Sequence, residues 1–260
     1  MVRHLIVIVL ALAMGVSAIH ASGNSITFKI PPVMIPLKIK DQQATIVASA
    51  IITLVAQSRG LNTLKLEFTA DLSNLQRNMT GLLSSALDKD DRCGDRIDIQ
   101  NATLTPVDPA ALATVQLHYE RWVCAKLFGK QEDKRLIGGN AMIQMKLTPA
   151  VEENNTELRL VLELGPVEAD GSLGELLRSG TLGEVLRDKI QSAILAALKK
   201  GTDLSATLPS AVQGYVTIQD AQFKDSGSGR LAAVLDGEGR ITNEQLQALS
   251  KEIKERIASR

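Results

Sequence analysis

Two stretches of the chain repeat their apolar residues at steps of three and four, and most of the remainder alternates apolar and polar residues one by one. Between Leu72 and Lys89 the residues Leu72, Leu75, Met79, Leu82, Leu83, Ala86 and Leu87 make a single helical face, with Asp71 placed to cap its start. A second helical stretch runs from Leu173 to Lys200 and carries Leu177, Leu182, Val185, Leu186, Ile190 and Ile194 on its apolar face. Gly180 interrupts that stretch, Thr181 and Glu184 form a capping box that restarts it, and Gly201 is placed to end it. A third, more polar helix is expected over 243–258. Its thin stripe of Leu246, Leu249, Ile253 and Ile257 suits a surface position.

Strands account for the alternating runs. Leu64, Leu66 and Phe68 alternate with Lys65 and Glu67; Ile143, Met145 and Leu147 alternate with Gln144 and Lys146; Leu158, Leu160 and Leu162 alternate with Arg159 and Val161. Each run has one dry and one largely wet face, as in an antiparallel sheet packed on something apolar. Ser58-Arg59-Gly60 and Glu153-Asn154-Asn155 fall where hairpins turn, and Gly138-Gly139-Asn140 and Gly227-Ser228-Gly229 also read as turns. The class this implies is α+β and rich in strand.

An internal repeat is expected. Ile97 to Val115 aligns without a gap on Val216 to Val234, at an offset of 119 that matches Ile99 with Ile218, Gln100 with Gln219 and Ala102 with Ala221. Leu112, Ala113 and Val115 meet Leu231, Ala232 and Val234 in the same frame. Residues 22–260 then form one domain of two similar halves, about 26–124 and 134–241, each a strand hairpin, a helix and a second strand hairpin.

The first residues change the picture of where the chain works. Arg3 and His4 precede an apolar run from Leu5 to Met14, and small residues follow in Val16-Ser17-Ala18 and Ile19-His20-Ala21. This is the order of a signal peptide over residues 1–21, cleaved after Ala18 or Ala21, and the apolar run is too short to span a bilayer. A periplasmic or secreted location follows. Without Arg3 the chain has 28 basic against 29 acidic residues, and aromatic residues make up only 3%. Neither nucleic acid nor a sugar polymer is the expected partner, since one needs clustered Lys and Arg and the other stacking platforms.

Cys93 and Cys124 are the only cysteines, equally spaced about Asp108-Pro109. In an oxidising compartment they are expected to bridge at the base of a hairpin, in a structural role. His118 is the one histidine outside the leader. Its neighbours Gln116 and Glu120 share its strand face, so a wet sheet face accounts for it. One histidine and two oxidised thiols make no zinc site, and the acids around Cys93 lack the order of a calcium loop. No catalytic residue, metal or cofactor is expected, and the protein is not read as an enzyme.

What remains is apolar. The residues Leu64, Leu66, Phe68, Leu158, Leu160 and Leu162 on strands, with Leu177, Leu182, Val185, Leu186, Ile190 and Ile194 on the second helix, either fill a core or line a cavity for an acyl chain or similar ligand. Periodicity alone does not separate the two. The run from Leu158 through Leu164-Gly165-Pro166-Val167 and Leu208-Pro209 to Asp236-Gly237 resembles the tubular lipid-binding (TULIP) superfamily, in particular its small bacterial periplasmic members. The resemblance implies a strongly curved antiparallel sheet wrapped around one or two long amphipathic helices, with a lipid or other apolar ligand in the groove between helix and sheet. The other reading is a structural or adaptor protein of the cell envelope with a filled core, binding a protein partner on a sheet edge or the carboxy-terminal helix.

Overall fold

The structure, a computed structural model, describes residues 17–22, 25–39, 42–56, 61–87, 93–127, 130–151, 158–171, 173–175 and 215–248, with single positions at 184, 188, 192 and 251. In chain order the elements are β1 (Ser17–Ser22), β2 (Ser25–Ile39), β3 (Gln42–Ala56), β4 (Leu61–Asp71), α1 (Ser73–Arg77), α2 (Met79–Leu87), β5 (Gly94–Val107) and β6 (Ala110–Leu127), followed by β7 (Lys130–Val151), β8 (Leu158–Ala169), β9 (Val216–Asp225) and β10 (Leu231–Thr242). The strands form two antiparallel sheets. One has six strands in the order β1-β2-β3-β4-β10-β9, the other four in the order β5-β6-β7-β8.

This corrects the expected architecture. The sheet does not wrap a long amphipathic helix: among the described residues the helices are short, and two separate sheets turn their dry faces to a common core. Between 176 and 214 only Glu184, Asp188 and Ser192 are among the described residues, and all three are helical and exposed. The stretch from Leu72 is divided at Asn78. Its side-chain amide donates to the Asn74 carbonyl at 2.9 Å, where a continuing helix would use only backbone groups, and its own N–H reaches both Asn74 and Leu75 at 3.2 Å. The Asn74 side-chain oxygen accepts from the same Asn78 amide at 3.2 Å and from the Thr45 N–H of β3 at 2.8 Å. A period-two pattern specifies that a strand has one dry face; it does not say whether a helix or a second sheet covers it.

The main core joins Ala44, Ile46, Ala48 and Phe68 of the larger sheet to Ile99, Val115, Leu117, Ile143, Met145 and Leu147 of the smaller one, with Leu75, Met79, Leu82 and Leu83 of α1 and α2 between them. A smaller cluster of Ile52, Leu54, Leu64, Val216 and Ile241 lies at one end of the six-stranded sheet. Leu246 of the helical segment 243–248 packs on it. That segment starts with a reciprocal cap, in which the Gln245 N–H donates to Thr242 Oγ1 and the Thr242 N–H donates to Gln245 Oε1.

The two sheets are fastened along one side. The Phe223 N–H of β9 donates to the Pro109 carbonyl, and the Asp225 N–H to Asp108 Oδ1, both at 2.9 Å, so the tip of the β5–β6 hairpin docks on β9. The free edge of β5 is covered by helix side chains. Thr80 Oγ1 accepts from the Ala102 N–H at 2.9 Å, and Gln76 Nε2 donates to the Leu104 carbonyl at 2.7 Å. Gly138 and Gly139, expected in a turn, lie inside β7. A Cβ on Gly139 would stand 3.3 Å from that of Leu173, which is fully buried, so the glycine makes room for a close-packed side chain. Gly227 and Gly229 do sit in the β9–β10 turn, at φ of 106° and 73°.

Candidate ligand site on the inner face of the small sheet

On β7 the inward residues Ala141, Ile143, Met145 and Leu147 are all buried. Their neighbours on the edge strand β8 are less covered. Leu162 lies across from Leu147, Leu164 from Met145 and Leu160 from Pro149. Leu160 and Leu162 are half-buried and Leu164 is 37% exposed, whereas Met145 beside it is 1% exposed. A register shift between Ile143 and Met145 places Gly165 and Pro166 out of step. Because side chains alternate across a strand, that one-residue shift keeps Val167 and Ala169 on the same inner face as the leucines before it. The result is a continuous aliphatic face that is sealed at β7 and open at β8.

The candidate residues divide accordingly. Leu158 is the backbone register partner of Val151, and Leu160 and Leu162 pack against the main core from its margin. Phe68 and Leu64 are interior: Phe68 belongs to the main core and Leu64 to the smaller cluster, with Leu66 half-buried between them. Leu177, Leu182, Val185, Leu186, Ile190 and Ile194 lie outside the described residues. The structure also adds residues to the same margin, Ile137 and Val151 of β7 and Val167 of β8, all half-buried against the core. In the sequence Gly138-Gly139 cut Ile137 off from the Ala141 run, and Gly165-Pro166 do the same for Val167. Ile137 stays in step with Ala141 through Gly139, whereas only a reading that allowed for a bulge would have joined Val167 to the leucines before it.

The opposite, wet face of the small sheet carries a polar network. His118 Nδ1 lies 2.9 Å from Asn140 Oδ1, and its Nε2 is 3.5 Å from Glu120. Glu120 also accepts from Trp122 Nε1 at 2.8 Å and from Arg135 at 2.9 Å. Those hydrogen bonds, Trp122 first, outweigh the small effect of burial and hold the Glu120 carboxyl below its usual range. Arg96 stacks over Trp122 at 4.9 Å. Tyr119, on the inner face, donates to Asp95 at 2.7 Å; burial, then that carboxylate, push its pKa upward. At the end of this sheet Cys93 and Cys124 are joined in a disulfide, with Cα atoms 5.7 Å apart.

No family model matches the chain, and no curated protein matches it. Among solved structures, the crystal structure of lipopolysaccharide binding protein aligns over 89% of this chain and 94% of its own, at a TM-score of 0.33 and 7% sequence identity.

Proposed function

We propose that this chain is an exported, non-catalytic protein that binds a lipid or other apolar ligand along the β7–β8 margin of the small sheet. The observation that supports it is the row Leu160, Leu162 and Leu164, which extends the buried aliphatic face of β7 but is left partly open to solvent. An acyl chain laid against this row would remove apolar area from water at about 25 cal/mol per Å². The likeness of the sequence from Leu158 to Asp236-Gly237 to the tubular lipid-binding superfamily supports the same ligand class. The disulfide is compatible with export, as is the finding that, among the described residues, no helix is long and apolar enough to cross a membrane.

A filled-core adaptor protein of the envelope is the second reading, favoured by Leu64 and Phe68, which are 1% and 6% exposed. Titrating delipidated protein with a fluorescent fatty acid, beside its melting temperature, separates the two readings. Leu162→Glu is expected to weaken saturable binding at least about tenfold with little change in melting, because the site is only half-buried. A fully buried unpaired charge would instead cost several kcal/mol, on the order of 3 or more, and unfold the protein first. Absence of saturable binding by the wild type, together with an unfolded variant, would leave the adaptor reading in its place.

A further inference from the structure

The disulfide lies beside a third potential metal donor. Cys124 on β6 is the direct register partner of Asp133 on β7, and Cys93 precedes β5 on the other side of β6. The two sulfurs and one Asp133 carboxylate oxygen all lie within 4.8 Å of one another. Cys93 and Asp133 are exposed and Cys124 is half-buried, so reductants and ions reach the group from solvent. In the oxidised protein the sulfurs are bonded to each other and ligate nothing.

We propose that the dithiol form of the protein binds a zinc-type divalent cation through Cys93, Cys124 and Asp133. The dithiol exists in the newly made chain before the bridge closes. It is also regenerated by exchange with a thiol reductant: two RSH become RSSR, and two electrons and two protons pass to the cysteine sulfurs. Metal binding then displaces the two thiol protons and forms two metal–sulfur bonds and one metal–oxygen bond, with water completing four-coordination. Tetrahedral zinc, at about 2.3 Å to sulfur and about 2.0 Å to oxygen, holds its donors roughly 3.5–3.8 Å apart. The sulfurs need only separate from bonding contact, and the carboxylate stays within its side chain's reach. Two thiolates beside a carboxylate repel one another, and a dication relieves that repulsion. The soft sulfur pair selects zinc, cadmium or cobalt over magnesium or calcium.

The test is a Co²⁺ titration of the full chain, reduced with a phosphine under inert gas, while helix and strand signals are followed by circular dichroism. The reduced wild type is expected to develop a thiolate-to-cobalt charge-transfer band and intense tetrahedral ligand-field bands at one equivalent, bleached by Zn²⁺. The oxidised protein should show neither. Asp133→Asn, its fold checked by the same circular dichroism signals, should keep the sulfur band but bind at least about tenfold more weakly. Three results would overturn the proposal: no sulfur band in the reduced protein, unaltered affinity in Asp133→Asn, or a reduced chain that unfolds and is not refolded by Zn²⁺.

Discussion

Gln76 holds three backbone groups from both sheets with one side chain, and its removal is the sharpest test of how the sheets are joined. Its Nε2 donates to the Leu104 carbonyl of β5 at 2.7 Å and to the Gly229 carbonyl of the β9–β10 turn at 2.8 Å, while its Oε1 accepts from the Leu231 N–H at 3.1 Å. In Gln76→Ala the exposed Gly229 carbonyl is taken over by water, so that bond matters least. Leu104 and Leu231 are 2% and 0% exposed, and their backbone groups lose a partner that solvent replaces poorly. At about 1 kcal/mol net for each lost bond, more where a buried group is stranded, the loss is about 2 kcal/mol. The better helix propensity of Ala returns only a few tenths, ~0.3 kcal/mol. Urea unfolding should show a lower midpoint at unchanged slope, and the melting temperature should fall by roughly 4–8 °C for a chain of this size. Gln76→Glu should do no better, because one carboxylate oxygen keeps the acceptor for Leu231 while the other replaces the amide donor and faces the Leu104 and Gly229 carbonyls. A Gln76→Ala loss within about 0.5 kcal/mol, the size of an ordinary surface change, would refute the clasp.

Three further outcomes follow from the same geometry. The Glu120 carboxyl is held below its usual value of 4.5, so the stability it adds is present above that pH and is lost as the pH falls through the folded value; acid titration of Glu120→Gln should therefore lack this part of the wild-type decline. Gly139→Ala should lower stability by about 1 to 3 kcal/mol in a thermal melt, since its Cβ would press on the buried Leu173. If the signal reading holds, amino-terminal sequencing of the mature protein should begin near Ile19 or Ser22, and an intact Met1 would contradict it.

The strands were legible because alternation is a direct record of a one-sided environment. Leu64 to Phe68, Ile143 to Leu147 and Leu158 to Leu162 all lie in strands, and Leu64, Phe68, Ile143, Met145 and Leu147 are buried while Leu160 and Leu162 pack on the core. What covers that face was not legible. The Leu72–Leu87 face packs on the core as one stripe, but the helix beneath it is divided by a single asparagine whose amide competes for the helix backbone, which an apolar stripe does not register. The division of the candidate site was hidden for a related reason. Leu64 and Leu162 look alike in sequence, but β4 runs between β3 and β10, whereas β8 is an edge, and position in the sheet sets how much of a leucine is covered. Glycine pairs misled because they mark both turns and close approaches.

The two segments aligned at an offset of 119 can be followed into the fold. Each forms a hairpin, β5–β6 in the small sheet and β9–β10 in the large one. The pairing skips Gln100 between Ile99 and Asn101, and it skips Gln219 between Ile218 and Asp220. The matched glutamines are therefore the unpaired residue of matched bulges, and the residues after them, Ala102 with Leu104 and Ala221 with Phe223, all return to the buried face. A bulge reverses which side chains face inward, so keeping it at the same place in both hairpins keeps the same inward set. The neighbouring strands differ: β10 pairs with β4, the last strand before α1, while β6 pairs with β7, the strand that follows it directly. Each sheet consequently takes strands from both halves of the chain. Separating residues 26–124 from 134–241 would open one pairing in each sheet, β4–β10 in the large and β6–β7 in the small, so each sheet is complete only when both parts of the chain contribute to it.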